Sequence, residues 1–186
     1  MPKVVVFDFD GTLTNYDTLA RFFAEQIKMQ GRVWQNVLLF VLKVLSKLKI
    51  TSIRFEKEAM LNVLFRGDKM KMLSAFSEYA GHIQTNNLGD LLKLKLAEGS
   101  RVIILSASPT EYIQMVYPQC EVIGLDYAVD NGKLRVTRHP YGEEKKRILL
   151  YMGLNQIDEF YYDSKSDEAV LPITIKGFKV FHGVVL

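Results

Sequence analysis

Val4-Val5-Val6-Phe7-Asp8-Phe9-Asp10-Gly11-Thr12 is the stretch that decides how the rest of the chain is read. The β-branched run from Val4 to Phe7 is apolar on both alternating faces, which predicts a central strand buried between helices. Two carboxylates, Asp8 and Asp10, follow at its carboxyl end, where open α/β sheets place their ligand sites. They point the same way if the strand continues, and such crowding is costly unless a cation or a proton resolves it. Gly11 and Thr12 then allow a sharp turn with free backbone N–H groups and a hydroxyl. Those are the parts needed to hold a metal and a phosphate. A strand closed by an ordinary Asp-Gly turn is the plainer alternative.

The chain has 186 residues, 48% hydrophobic and 24% charged. These are globular values, enough for one domain with a substantial insert or for two small domains. Cys120 is the single cysteine and forms no internal disulfide, which fits a reducing compartment and a buried filler role. Met1-Pro2-Lys3 runs straight into the strand, without signal or transit sequence, so a cytoplasmic protein is expected. The formal charge of +3 is uneven: residues 15–87 hold eleven Lys or Arg against six Asp or Glu. A basic insert beside an acidic remainder suits an anionic substrate, while nothing in the composition points to nucleic acid.

Three further strands are predicted to end in polar chemistry: 101–105 before Ser106-Ala107-Ser108-Pro109, 159–162 before Asp163-Ser164, and 178–181 before His182-Gly183. Helices are predicted at 88–98, 109–116 and 143–152, two of them closed by glycine and one opened by proline. Alternating strands and helices argue a doubly wound, Rossmann-like parallel α/β sheet, with Asp130-Asn131-Gly132 making a hairpin inside 125–136. About seventy residues after the first strand carry no strand signal, too long for a crossover. They are expected to form helices at 17–30, 33–49, 51–65 and 68–80, a helical-bundle cap over residues 15–87 inserted into a core of residues 1–14 and 88–186. The apolar helix at 33–49 is expected to lie buried inside that cap. An exposed face for a partner subunit or a membrane surface is the alternative. Oligomeric state stays open.

In this order the residues resemble the haloacid dehalogenase superfamily of aspartate-nucleophile phosphatases. Asp8-Phe9-Asp10-Gly11-Thr12 matches the first motif, Ser106 the second, Lys145 in Gly142-Glu143-Glu144-Lys145 the third, and Asp163-Ser164-Lys165-Ser166-Asp167 the acidic fourth. The resemblance implies Asp8 as nucleophile and Asp10 as general acid–base. It implies Mg²⁺ held by the Asp8 side chain, the Asp10 carbonyl and Asp163, with Asp167 in or beside its shell. It implies phosphate contacts from Ser106, Lys145 and the Gly11 and Thr12 N–H groups. Lys146 competes with Lys145, which shares the inward face of Ile148 and Leu149. Taken singly, Ser106 could be a helix cap, and Asp163 and Asp167 turn and cap residues. His82, His139 and His182 show no ligand spacing and are read as structural.

A helical cap after the first motif resembles the phosphoserine phosphatase subgroup. There an acidic residue nine positions after the nucleophile meets the substrate amino group, and a cap arginine meets its carboxylate. Asp17 and Arg54 stand at or near those places, with Asp17 equally readable as a helix N-cap. The lysine-dotted apolar segment and the third and fourth motifs also resemble bacterial phosphatidylglycerophosphate phosphatases. The expected activity is hydrolysis of a small phosphate monoester. A lipid-headgroup phosphatase at a membrane surface, a phosphomutase and a non-catalytic binding module are the alternatives.

Overall fold

The computed structural model describes residues 2–31 and 33–186. Its strands are β1 (Val4–Phe7), β2 (Arg101–Pro109), β3 (Glu121–Asp130), β4 (Lys133–Arg138), β5 (Ile157–Tyr162), β6 (Thr174–Phe181) and β7 (Val184–Val185). They form one sheet in the order β4-β3-β2-β1-β5-β6-β7. Five neighbours, β3 to β6 in that order, run parallel, and β4 and β7 are antiparallel edges. β1 takes the centre because both its faces are apolar. Val5 and Phe7 enter one layer with Val102 and Ile104, while Val6 enters the other with Ile103 and Leu105.

Helices α5 (Leu88–Ala97) and α6 (Thr110–Val116) cover the first face through Leu92, Tyr112 and Ile113. Helix α7 (Glu143–Tyr151) and a 3-10 helix at Lys165–Ile173 cover the second through Leu149 and Val170. The chain leaves β1 toward β2 and later returns on the opposite side as β5. The carboxyl ends of β1 and β5 therefore flank the point where strand order reverses, the usual ligand crevice of such sheets.

Four helices stand between β1 and α5: α1 (Thr18–Gln30), α2 (Val33–Lys47), α3 (Ile53–Phe65) and α4 (Lys69–Ala80). Asp17, Ser52 and Asp68 cap α1, α3 and α4, each accepting a backbone N–H three residues on at 2.8, 3.1 and 2.9 Å. Phe22, Phe65 and Phe76 fill the space between them. Phe76 also meets Tyr112 of α6, edge to face at 5.4 Å, so the insert shares the core of one sheet face.

Helix α2 departs from expectation. It was expected to be buried, yet only one seam faces α1 and α3: Gln35, Leu42 and Ser46 are buried and Leu38 is partly so. Trp34, Val37, Phe40, Val41, Val44 and Leu48 are exposed. The apolar arc is broader than the groove between α1 and α3 that it packs on, and the surplus faces outward.

The hairpin turns at Asn131 and Gly132, both left-handed (φ 48° and 69°), with Asp130 opposite Lys133. That is the primed two-residue turn its sequence predicts. Its first strand, however, starts at Glu121 and pairs in parallel with β2. Likewise β2 continues through Ser106 to Pro109, and β6 begins at Thr174 rather than 178. In each case backbone pairing carries the strand past the apolar residues that advertise it.

Candidate active site

Asp8 follows directly on β1, and its N–H still donates to the Tyr161 carbonyl of β5 at 2.9 Å. The chain then turns back on itself, the Leu13 and Thr14 N–H groups reaching the Phe9 carbonyl at 2.8 and 3.1 Å. Gly11 makes the turn possible at φ 75°. A Cβ on Gly11 would lie 2.1 Å from Asp163 Oδ2, so any side chain there would displace the Asp163 carboxylate.

Lys145 enters from the buried side of α7, level with Leu149, and is almost fully enclosed. Its Nζ lies 2.7 Å from Asp8 Oδ1 and 2.6 Å from Asp167 Oδ1. Lys146 instead pairs with Glu143 at the surface. The second oxygen of Asp167 accepts the Ser164 hydroxyl at 2.9 Å. Carboxylate oxygens of Asp8, Asp163 and Asp167 lie within 4.8 Å of one another.

One ammonium thus faces three carboxylates. Burial pushes the Asp8 carboxyl well above the usual range, and Asp167 and Asp10 add to this against the pull of Lys145. Burial and Asp167 likewise push Asp163 up. Burial alone would lower Lys145, but Asp8 and Asp167 outweigh it and hold the ammonium charged. A cluster short of positive charge, built of hard oxygen donors, suits a divalent cation such as Mg²⁺.

Asp10 points elsewhere. Its Oδ1 accepts the Thr18 N–H at 2.8 Å and the Thr18 hydroxyl at 2.6 Å, and its Oδ2 accepts the Ser108 hydroxyl. Thr18 in turn meets the Tyr112 hydroxyl at 2.9 Å. Burial and the charge of Asp17 raise Asp10 to about 6, against the hydrogen bonds from Ser108 and Thr18. Its side chain lies outside the three-carboxylate cluster, so only its backbone carbonyl is left for the metal role the resemblance implies.

These groups line one cleft of ≈ 690 Å³, with Asp8, Asp10, Gly11, Ser106, Lys145, Asp163 and Asp167 on its floor. Ser106 is buried, its Oγ accepting the Ser108 N–H at 3.1 Å. Asp17 caps α1 and also lies on the cleft wall. Two residues depart from expectation. Thr12 is wholly buried outside the lining, its N–H turned to the Phe9 carbonyl at 3.3 Å by the same tight turn. Arg54 stands apart too, because its guanidinium is drawn to the Val136 carbonyl of β4.

The cation on the cleft wall is instead Lys57, one turn further along α3, whose Nζ donates to the Ala107 carbonyl at 2.6 Å. Burial lowers its pKa, opposed by Asp10 and Asp17. Tyr141, Phe181 and His182 complete the rim, although His182 reads as structural in sequence. Ser108 had a sequence signal: in extended backbone it shares the face of Ser106. Thr18 and Lys57 sit on helices with nothing in their spacing to single them out.

A family model of haloacid dehalogenase-like hydrolases matches residues 5–169. No curated protein sequence matches the chain. Among solved structures it is similar to a Bordetella pertussis protein of unknown function (19% identity, TM-score 0.80, covering 96% of this chain and 90% of that one). It is also similar to a phosphoserine phosphatase from T. onnurineus (16%, 0.62, 95% and 82%). A third match is a phospho-aspartyl intermediate analogue of phosphoserine phosphatase (14%, 0.64, 96% and 86%). At these identities the structural likenesses speak for the fold, and the family match spans both aspartate-bearing strand ends and the lysine between them. The chain belongs to the haloacid dehalogenase-like hydrolase family.

Proposed function

We propose that the chain is a Mg²⁺-dependent phosphatase that hydrolyses a small phosphate monoester through an aspartyl-phosphate on Asp8. The observation that carries this reading is the Asp8–Lys145–Asp167 chain of contacts at the strand-order reversal, with Asp163 close enough to share a cation. A carboxylate oxygen of Asp8 attacks phosphorus in line, forming one P–O bond as the ester P–O bond breaks. Asp10 gives its proton to the leaving oxygen, then takes one from the water that attacks the phosphoryl group and frees Asp8. A pKa of about 6 leaves both forms of Asp10 accessible near neutral pH, which both half-reactions need.

Lys145 pulls the Asp8 carboxyl toward its ionised form and pairs with the phosphoryl oxygens, while the Ser106 hydroxyl and the Gly11 N–H complete the cradle. When bound by Asp8, the Asp10 carbonyl and Asp163, with Asp167 alongside, Mg²⁺ supplies the charge neutralisation that one lysine cannot. Residues 15–87 act as the cap and residues 1–14 and 88–186 as the catalytic core. The wall offers acids (Asp17 and Glu56) beside a cation (Lys57), which suits a leaving group carrying both an ammonium and an anionic group. Phosphoserine has that pattern, and two of the structures the fold resembles are named phosphoserine phosphatases.

The test is turnover of a generic aryl phosphate with and without Mg²⁺. Activity should require Mg²⁺ and fall by at least about 10³-fold in Asp8→Asn. Activity untouched by that substitution would overturn the reading.

A further inference from the structure

The outward face of α2 has no place in the cleft chemistry, and it carries two features at once. Trp34, Val37, Val41, Val44 and Leu48 recur at helical spacing along one exposed stripe, with Phe40 beside it at 68% exposure. Around them the charge is one-signed: residues 26–55 contain six Lys or Arg and no Asp or Glu. Lys43 within α2, Lys49 just after it and Lys28 in the last turn of α1 are exposed. Nothing among the described residues covers this face, which is larger and more contiguous than scattered surface apolar residues.

The charge decides between occupants. A second copy of the chain would bring two sets of cations together around the apolar seam, whereas an anionic surface would neutralise them. At 15 residues α2 is too short to cross a bilayer, and no described helix is long and apolar enough to do so. An apolar stripe rimmed with lysine is the pattern of a helix lying in the interface plane. The segment that leaves the stripe also reaches the cleft: exposed Ile50 is followed three residues later by Ile53, which lines the cleft wall.

We propose that the exposed face of α2 docks the protein on an anionic lipid surface. The apolar side chains enter the headgroup boundary and the lysines meet anionic headgroups. Docking there sets the mouth of the cleft beside the lipid headgroups. The proposal does not depend on the hydrolytic reading.

Trp34 is the chain's single tryptophan and reports directly on the face. The whole chain is mixed with vesicles of phosphatidylcholine alone, or of phosphatidylcholine and phosphatidylglycerol in equal parts. With the anionic vesicles Trp34 emission should move to shorter wavelength and the protein should co-sediment, to be released by high salt. Neutral vesicles should retain about tenfold less. The double substitutions Phe40→Ser with Val44→Ser, and Lys43→Glu with Lys49→Glu, should each weaken binding by about tenfold or more. Both should leave turnover of the soluble aryl phosphate unchanged, so failure here is distinct from failure of the phosphatase reading. No co-sedimentation, equal binding to both vesicle types, or binding indifferent to both double substitutions would overturn the proposal. So would a lipid-free dimer abolished by Phe40→Ser with Val44→Ser, which would assign the face to a second copy.

Discussion

Asp10 has both carboxylate oxygens engaged, by Thr18 on the first helix of the insert and by Ser108 near the end of β2. A general acid works only from a fixed position, and fixing it needs donors on both sides. Replacing Ser108 with Ala leaves Oδ2 free and the carboxylate able to swing. Steady-state kinetics should show kcat falling about ten- to a hundredfold with KM nearly unchanged, since Ser108 holds the acid rather than the substrate. An equal loss in KM would instead place Ser108 among the substrate contacts. The aspartates were legible in sequence because strand ends fix where side chains go. Arg54 pairs with the Val136 carbonyl instead, because its place on a helix says nothing about whether the nearer acceptor is substrate or the β4 backbone. Lys57, one turn away, faces the cleft for reasons only the packing of α3 on β4 reveals.

At the scale of elements, the turn after β1 brings Asp8 against Asp163 at the end of β5. Gly11→Ala would force a left-handed backbone on a residue with a Cβ and push that Cβ into the Asp163 carboxylate. Denaturant unfolding should show a loss of about 1–3 kcal/mol, with turnover of the aryl phosphate nearly abolished. Unchanged stability would mean the β1 and β5 ends can part without cost. β1, the hairpin and the four insert helices were legible from apolar runs, an Asn-Gly turn and side-chain caps. The extensions of β2, β3 and β6 were not, because hydrogen bonding to a neighbouring strand recruits residues whose own side chains carry no signal.

For the molecule as a whole, the helical insert and the sheet share one core, and groups buried where they meet couple the fold to pH. His139, stacked on Tyr141, is pushed down to about 3 by burial and by the cations Lys57, Arg54 and Lys145. The unfolded chain takes up this proton below the ordinary histidine value of 6.5, while the folded chain resists it until about 3. Stability should therefore fall as pH drops from 6.5 toward 3, by on the order of a few kcal/mol. Unfolding of His139→Phe followed across that range should show a flatter slope, and an unchanged slope would remove His139 from the account. The outward face of α2 was the feature least legible in sequence: an apolar helix looks the same whether its surplus side is buried or bare until its neighbours are in place.

The central claim is that Asp8 becomes phosphorylated during turnover. It is tested most directly by quenching the Mg²⁺-loaded enzyme in acid during turnover and mapping the protein by mass spectrometry. One phosphoryl group on the peptide carrying Asp8, increased in Asp10→Asn and absent from Asp8→Asn, is the predicted result. Full turnover with no phosphoryl group on that peptide, or with the group on another residue, would contradict it.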